Sequence, residues 1–370
     1  MHPRSSRFRS AAPGALTILF LSAIAPAMAS AQQAHGAVDS LARAFRAQHP
    51  TPALVIGVID SAGKRILSYG VMSADDSTPV TGDTRFEVGS VTKVFTSLLL
   101  ATMVKSGEAR LDDPIARYLP DSVSAPEYRG QPVTLRELAT HTSSLPRLPT
   151  NIAPADMSDP YADYSAARLY AFLDSYDLPV APDSHYEYSN LGAGLLGFLL
   201  ARHEGVSYAE LVDERVIDQL GLKATYVVEL GDSADALTAH GHAGGKPVPF
   251  WHFGVLEGAG ALRSSANDLL HLLAVELHPG GSPLQGAIEL SQEIRFRASP
   301  QLALALGWHV VPMADSGSFY WHNGGTGGAR SFVGFSPVAG VGIVVLANEA
   351  LPLDVVTQFA FDVARASMKR

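Results

Sequence analysis

Between Phe86 and Gly107, apolar residues at Val91, Val94, Phe95, Leu98, Leu99, Leu100, Met103 and Val104 cover nearly the whole circumference of a helix. A helix apolar on all sides belongs in the interior of a sizeable domain. Ser90 stands where its N-cap is expected and Gly107 where it should stop. The pattern differs on either side. Residues 36–48 read as an amphipathic helix, and 53–60 and 65–71 as two strands of a hairpin turning at Ser61-Ala62-Gly63. From Asp112 to about Pro300 the chain reads as helices joined by polar, proline-containing loops. Strand patterns return at 319–322, 330–335 and 340–346, and a last helix is expected over 353–366.

Strands at both ends with helices between them predict an α/β (α+β) fold, an antiparallel sheet flanked by helices with an inserted, mostly helical lobe. The expected sheet lobe is 32–111 with 301–370, and the expected helical lobe is 112–300. A cleft should lie where the lobes meet. Ahead of them, Arg4, Arg7 and Arg9 precede a short apolar core at 15–25, and Ala29-Ser30-Ala31 offers a small-x-small cut. Residues 1–31 therefore read as a signal peptide cleaved near Ala31, which predicts an exported, periplasmic or extracellular protein. No later segment reads as transmembrane.

The formal net charge is −9, and loss of the three arginines makes it more negative. That argues against nucleic acid as a partner. The chain has no cysteine, which excludes disulfide and thiolate chemistry. His240-Gly241-His242 is half of a metal site at most, with no third ligand at a suitable spacing, so two loop histidines are the expected reading. No G-x-S-x-G elbow is present.

Lys93 is the residue that fits the buried helix least. A capping box places Glu or Gln three residues after the cap, and here that slot holds a cation at the positive end of the helix dipole. Apolar neighbours and the dipole both push its amine towards the neutral form. One turn apart, Lys93 and the Ser90 hydroxyl share a helix face, the pattern of an activated nucleophile. Taken alone, the pair is better explained by a capping serine and a lysine reaching to water. Two further constellations bear on the choice. Tyr188-Ser189-Asn190 opens a glycine-rich helix, where Asn190 is either a cap or a substrate-binding amide. Tyr188 is either a loop aromatic or a proton carrier whose pKa falls beside a cation. His322-Asn323-Gly324-Gly325 lies between strands rather than before a helix, which rules out a phosphate cradle. Glycines on an edge strand admit another backbone, so a substrate could lie along Gly324 and Gly325.

In order, Ser90-Val91-Thr92-Lys93, Tyr188-Ser189-Asn190 and His322-Asn323-Gly324 resemble the three motifs of the penicillin-recognising serine hydrolases. Within that family the chain is most similar to the class C β-lactamases and their related D-alanyl peptidases, D-aminopeptidases and esterases. The resemblance extends to Phe86–Ser90, 138–143, Gly221-Leu222, Leu306-Gly307-Trp308 and 345–348. It implies Ser90 as nucleophile, Lys93 and Tyr188 as base and acid, and Asn190 as the holder of the substrate amide. Gly325 would supply the second oxyanion N–H beside that of Ser90, with no metal or cofactor. His322 stands where the lactamases carry the lysine of Lys-Thr-Gly. Their Asn-Pro-x-Arg run corresponds here to Leu353-Asp354-Val355-Val356. With those groups missing, weak β-lactam turnover is expected, with better activity on neutral esters or on peptides with D-residues. Charge for a substrate carboxylate would come in part from His322, with Arg330, close in sequence to the glycine strand, as the alternative source. The expected partner is a small-molecule, ester or peptide substrate. The other function class compatible with the motifs is a penicillin-binding or sensor module that acylates without turning over.

Overall fold

The computed structural model describes residues 36–229, 235–313 and 317–368. The signal-peptide reading therefore falls outside the described residues. The run Ala53–Asp60 is apolar without alternation because both of its faces are covered. Val55 and Ile59 enter the larger core, while Leu54, Ile56 and Val58 enter a smaller one on the other face. The larger core holds the helices Thr92–Ser106 and Ala266–Leu277. The smaller holds the helix 36–48 and the last helix, Leu353–Met368, whose Phe359 stacks on Phe45 at 4.2 Å.

The sheet has eight strands, in spatial order Phe296–Ser299, Leu302–Leu304, His309–Met313, Gly317–Gly325, Arg330–Ser336, Val341–Ala347, Ala53–Asp60 and Gly63–Gly70. Every pairing in it is antiparallel, and Ile56 faces Val345, so the two ends of the chain are zipped together. This is the α/β architecture the sequence pattern implied. The first three strands of that order were not legible. Phe296–Ser299 is short and largely exposed, with no alternation of burial. A second, three-stranded sheet joins Arg85–Glu87, Leu262–Ser265 and Tyr226–Val227, which fixes the segment leading into Ser90. No helix among the described residues is long and apolar enough to cross a membrane.

Two capping expectations are corrected. The α-helix begins at Thr92, after a 3₁₀ turn at Gly89–Val91, and the Ser90 side chain caps nothing. Backbone closes the turn instead, with the Val91 N–H donating to the Val88 carbonyl at 3.2 Å. At the other end Gly107 is left-handed and receives the helix as expected. The helix Asn190–Glu204 is capped by Ser189, whose Oγ accepts the Gly192 N–H at 2.8 Å, so the Asn190 side chain is free for other work. Its glycines admit the Gly254–Ala259 turn: a Cβ on Gly194 would come within 2.7 Å of Leu256.

Candidate active site

The 3₁₀ turn carries Ser90 to the mouth of the buried helix, and Lys93 lies one turn further in, 2% exposed. Its Nζ lies 3.0 Å from Ser90 Oγ and donates to the Ala259 carbonyl at 2.6 Å. That carbonyl belongs to the turn held against the glycine-rich helix. Burial holds the Lys93 amine well below the ordinary lysine range, and the Arg147 guanidinium adds to the effect. An amine with one N–H on a carbonyl and its lone pair available is a proton acceptor for the neighbouring hydroxyl.

The Tyr188 hydroxyl also bonds Ser90, and the Lys93 amine lies 5.1 Å from the Tyr188 ring centroid. Its ionisation moves opposite to the sequence-based expectation. Burial pushes it above the ordinary tyrosine value, and the Ser90 bond and Arg147 only partly offset this. Burial therefore keeps the proton on Tyr188, which is a phenol in this site. The loop that carries it is held by the 138–143 segment. His141 Nδ1 accepts the Ser189 N–H at 3.2 Å, its carbonyl accepts from Glu187, and its ring lies 4.5 Å from Tyr188.

Asn190 is 8% exposed; its Nδ2 donates to the Tyr161 hydroxyl at 3.0 Å, and its Oδ1 has no partner. A buried amide oxygen left open costs stability unless a ligand meets it. Across from it, the strand Gly317–Gly325 runs past its neighbour, whose pairing ends at Trp321 opposite His309. Residues 322–325 are thus an edge on the side facing Ser90. The backbones meet there: a Cβ on Gly324 would lie 2.0 Å from the Val88 carbonyl and 2.9 Å from Ser90 N, and one on Gly89 would lie 2.7 Å from Gly325 N. Only glycine permits that approach. It places the Ser90 and Gly325 N–H groups on adjoining backbones. Glu87 ties these walls together, accepting the Trp251 N–H and the Thr326 hydroxyl, each at 2.8 Å.

His322 does not line the cavity. It is 1% exposed, its Nδ1 meets the Asn323 carbonyl at 2.7 Å, and its Nε2 has no partner. Burial holds it well below the ordinary histidine range, which favours the neutral ring and leaves no charge for a carboxylate. The cavity itself is about 440 Å³, and Ser90, Tyr188, Asn190 and Gly325 all line it. Tyr161, Tyr186, Trp251 and Trp321 give it aromatic walls, and Arg147 and Arg330 add charge. None of these six was singled out as a site residue from sequence, although Arg330 was noted for its nearness to the glycine strand. They come from loops and from the strands Gly317–Gly325 and Arg330–Ser336, with no local signature. His242 has both ring nitrogens engaged, with the Asn348 carbonyl and the Ala74 N–H. No group of metal-binding side chains is found among the described residues.

A hydroxyl, a neutral buried amine and a phenol around one edge strand define a serine-hydrolase fold of the penicillin-recognising kind. The solved structure of a class C β-lactamase from Rhodobacter sphaeroides superposes with a TM-score of 0.79 at 28% identity, covering 90% of this chain and 99% of that one. The beta-lactamase family model matches residues 38–364, and the chain belongs to that family. Among curated relatives, a beta-lactamase of Pseudomonas fluorescens is 27% identical, over 85% of this chain and 93% of its own. The D-alanyl-D-alanine-carboxypeptidase/endopeptidase AmpH of Escherichia coli K12 is 26% identical, over 80% of this chain and 79% of its own.

Proposed function

We propose that the protein is an exported serine hydrolase that cleaves an amide or ester through an acyl-enzyme on Ser90. The 3.0 Å contact between Ser90 Oγ and a buried, neutral Lys93 carries this reading. In the proposed cycle Ser90 Oγ attacks the donor carbonyl while Lys93 takes its proton. The N–H groups of Ser90 and Gly325 hold the oxyanion, and Asn190 Oδ1 accepts an N–H of the donor. The proton passes through Tyr188 to the leaving nitrogen or oxygen as its bond to the carbonyl breaks. Water then releases the acyl group with the same two residues acting in reverse. Residues 1–31 serve as the export signal in this reading, and the periplasm or the exterior is where the enzyme works.

Two kinds of relative, a beta-lactamase and a D-alanyl peptidase, match at nearly equal identity. The likeness therefore supports acyl transfer more than any one donor. The test is a time course with a nitrophenyl ester and a chromogenic lactam on the purified mature protein. Sustained turnover of either, lost in Ser90→Ala, is the expected result. A burst of one equivalent with no further release would make the protein an acylated binder.

A further inference from the structure

We propose that Arg147 is a specificity-determining residue of the cleft that binds a carboxylate on the acyl half of the donor, so that the preferred substrates are anionic amides or esters. This rests on the serine-hydrolase reading above and names the substrate class of that site.

The position that should hold a permanent cation, 322, carries a buried neutral histidine that does not reach the cavity. Among the described residues lining the cavity, only Arg147 and Arg330 are arginines or lysines. Arg330 is already engaged: its Nε donates to the Leu351 carbonyl, and one Nη donates to the carbonyls of Thr326 and Ala329 at 2.8 and 2.7 Å. Arg147 is exposed at the mouth and makes no ion pair among the described residues. Its guanidinium lies 5.1 Å from the Tyr188 ring centroid, which fixes its place without using its donors. A guanidinium with all its N–H groups open is a fork for a carboxylate.

The backbone says which half of the donor it faces. The Arg147 carbonyl accepts the N–H groups of Asn190 and Leu191 at 3.0 and 3.2 Å, so Arg147 is pinned to the start of the Asn190 helix. The open amide oxygen of Asn190 is the group that would hold the acyl half. A carboxylate a few atoms from the donor carbonyl on that side meets Arg147, while the aromatic walls take the rest of the molecule.

The experiment compares kcat/KM for 4-nitrophenyl butyrate and for the half-ester 4-nitrophenyl hydrogen glutarate. The two share a leaving group and differ at the acyl end. The ratio of anionic to neutral donor should fall about tenfold in Arg147→Ala, fall further in Arg147→Glu, and recover in part in Arg147→Lys. The wild-type ratio should also fall as salt is raised. A merely structural arginine would change both donors together and leave the ratio alone. An unchanged ratio in the Ala and Glu variants, with both donors still turned over through Ser90, overturns the assignment to Arg147 while sparing the serine-hydrolase reading. Turnover of neither donor by wild type, or turnover that survives Ser90→Ala, overturns both.

Discussion

Lys93 and His322 both lie buried behind one cleft, at 2% and 1% exposure, and burial favours the neutral form of each. They differ in what their nitrogens meet. Lys93 Nζ touches a backbone carbonyl and the Ser90 hydroxyl, whereas His322 meets its neighbour's carbonyl with Nδ1 and nothing with Nε2. Desolvation alone makes a neutral base. Placing its lone pair on a particular proton makes that base useful, and only Lys93 has this second property. His322 is better read as packing behind the site, with its Nδ1 proton fixed by the Asn323 carbonyl.

The sharpest way to break this contrast is at Lys93. Lys93→Arg puts a permanent cation there that cannot give up its proton at working pH, and turnover should fall by up to about 10⁴-fold with the far-ultraviolet dichroism preserved. Near-normal steady-state rates in that variant would make Lys93 a structural residue. Tyr188→Phe keeps the ring that Lys93 and Arg147 approach and removes only the phenol. A loss of about 10²-fold in kcat, with little change in melting temperature, is expected. An unchanged rate would return Tyr188 to packing. His322→Asn retains a donor for the Asn323 carbonyl and deletes Nε2. Its rate should fall by no more than about tenfold, less than a general base contributes. A loss as deep as that of Tyr188→Phe would give His322 a part in the proton path.

The smallest effect is on stability, and its sign is fixed by the Lys93 shift. The folded amine is neutral well below the pH at which the unfolded amine loses its proton near 10.4, so across that window the unfolded state binds one more proton. Wild type should therefore gain stability over Lys93→Met as pH rises through the window, by up to about 1.4 kcal/mol per unit. Denaturant titrations of both proteins at several pH values would show it. A flat difference would mean that Lys93 is charged in the folded protein.

The sequence was informative where one segment decides its own environment. The both-faced burial of Ala53–Asp60 and the all-round burial of Thr92–Ser106 appear as unbroken apolar runs. Gly107 ends its helix by a local backbone preference. Legibility failed where a partner far along the chain decides. Arg147, Tyr161 and Trp251 come from loops whose only common property is where the fold puts them. The Tyr188 shift went the other way because burial of the phenol itself outweighs the Ser90 hydrogen bond and the Arg147 charge. Ser90 lost its capping role to a 3₁₀ turn, a distinction of backbone geometry that a serine before an apolar run does not announce.

The account stands or falls on a covalent bond at Ser90. Purified mature wild type and Ser90→Ala should be mixed with a slowly released acylating probe, quenched in acid within seconds and weighed intact. The account predicts one added acyl mass on wild type, none on Ser90→Ala, and a turnover loss on the order of 10⁶ in that variant. An adduct that persists in Ser90→Ala would place the nucleophile elsewhere and contradict the mechanism.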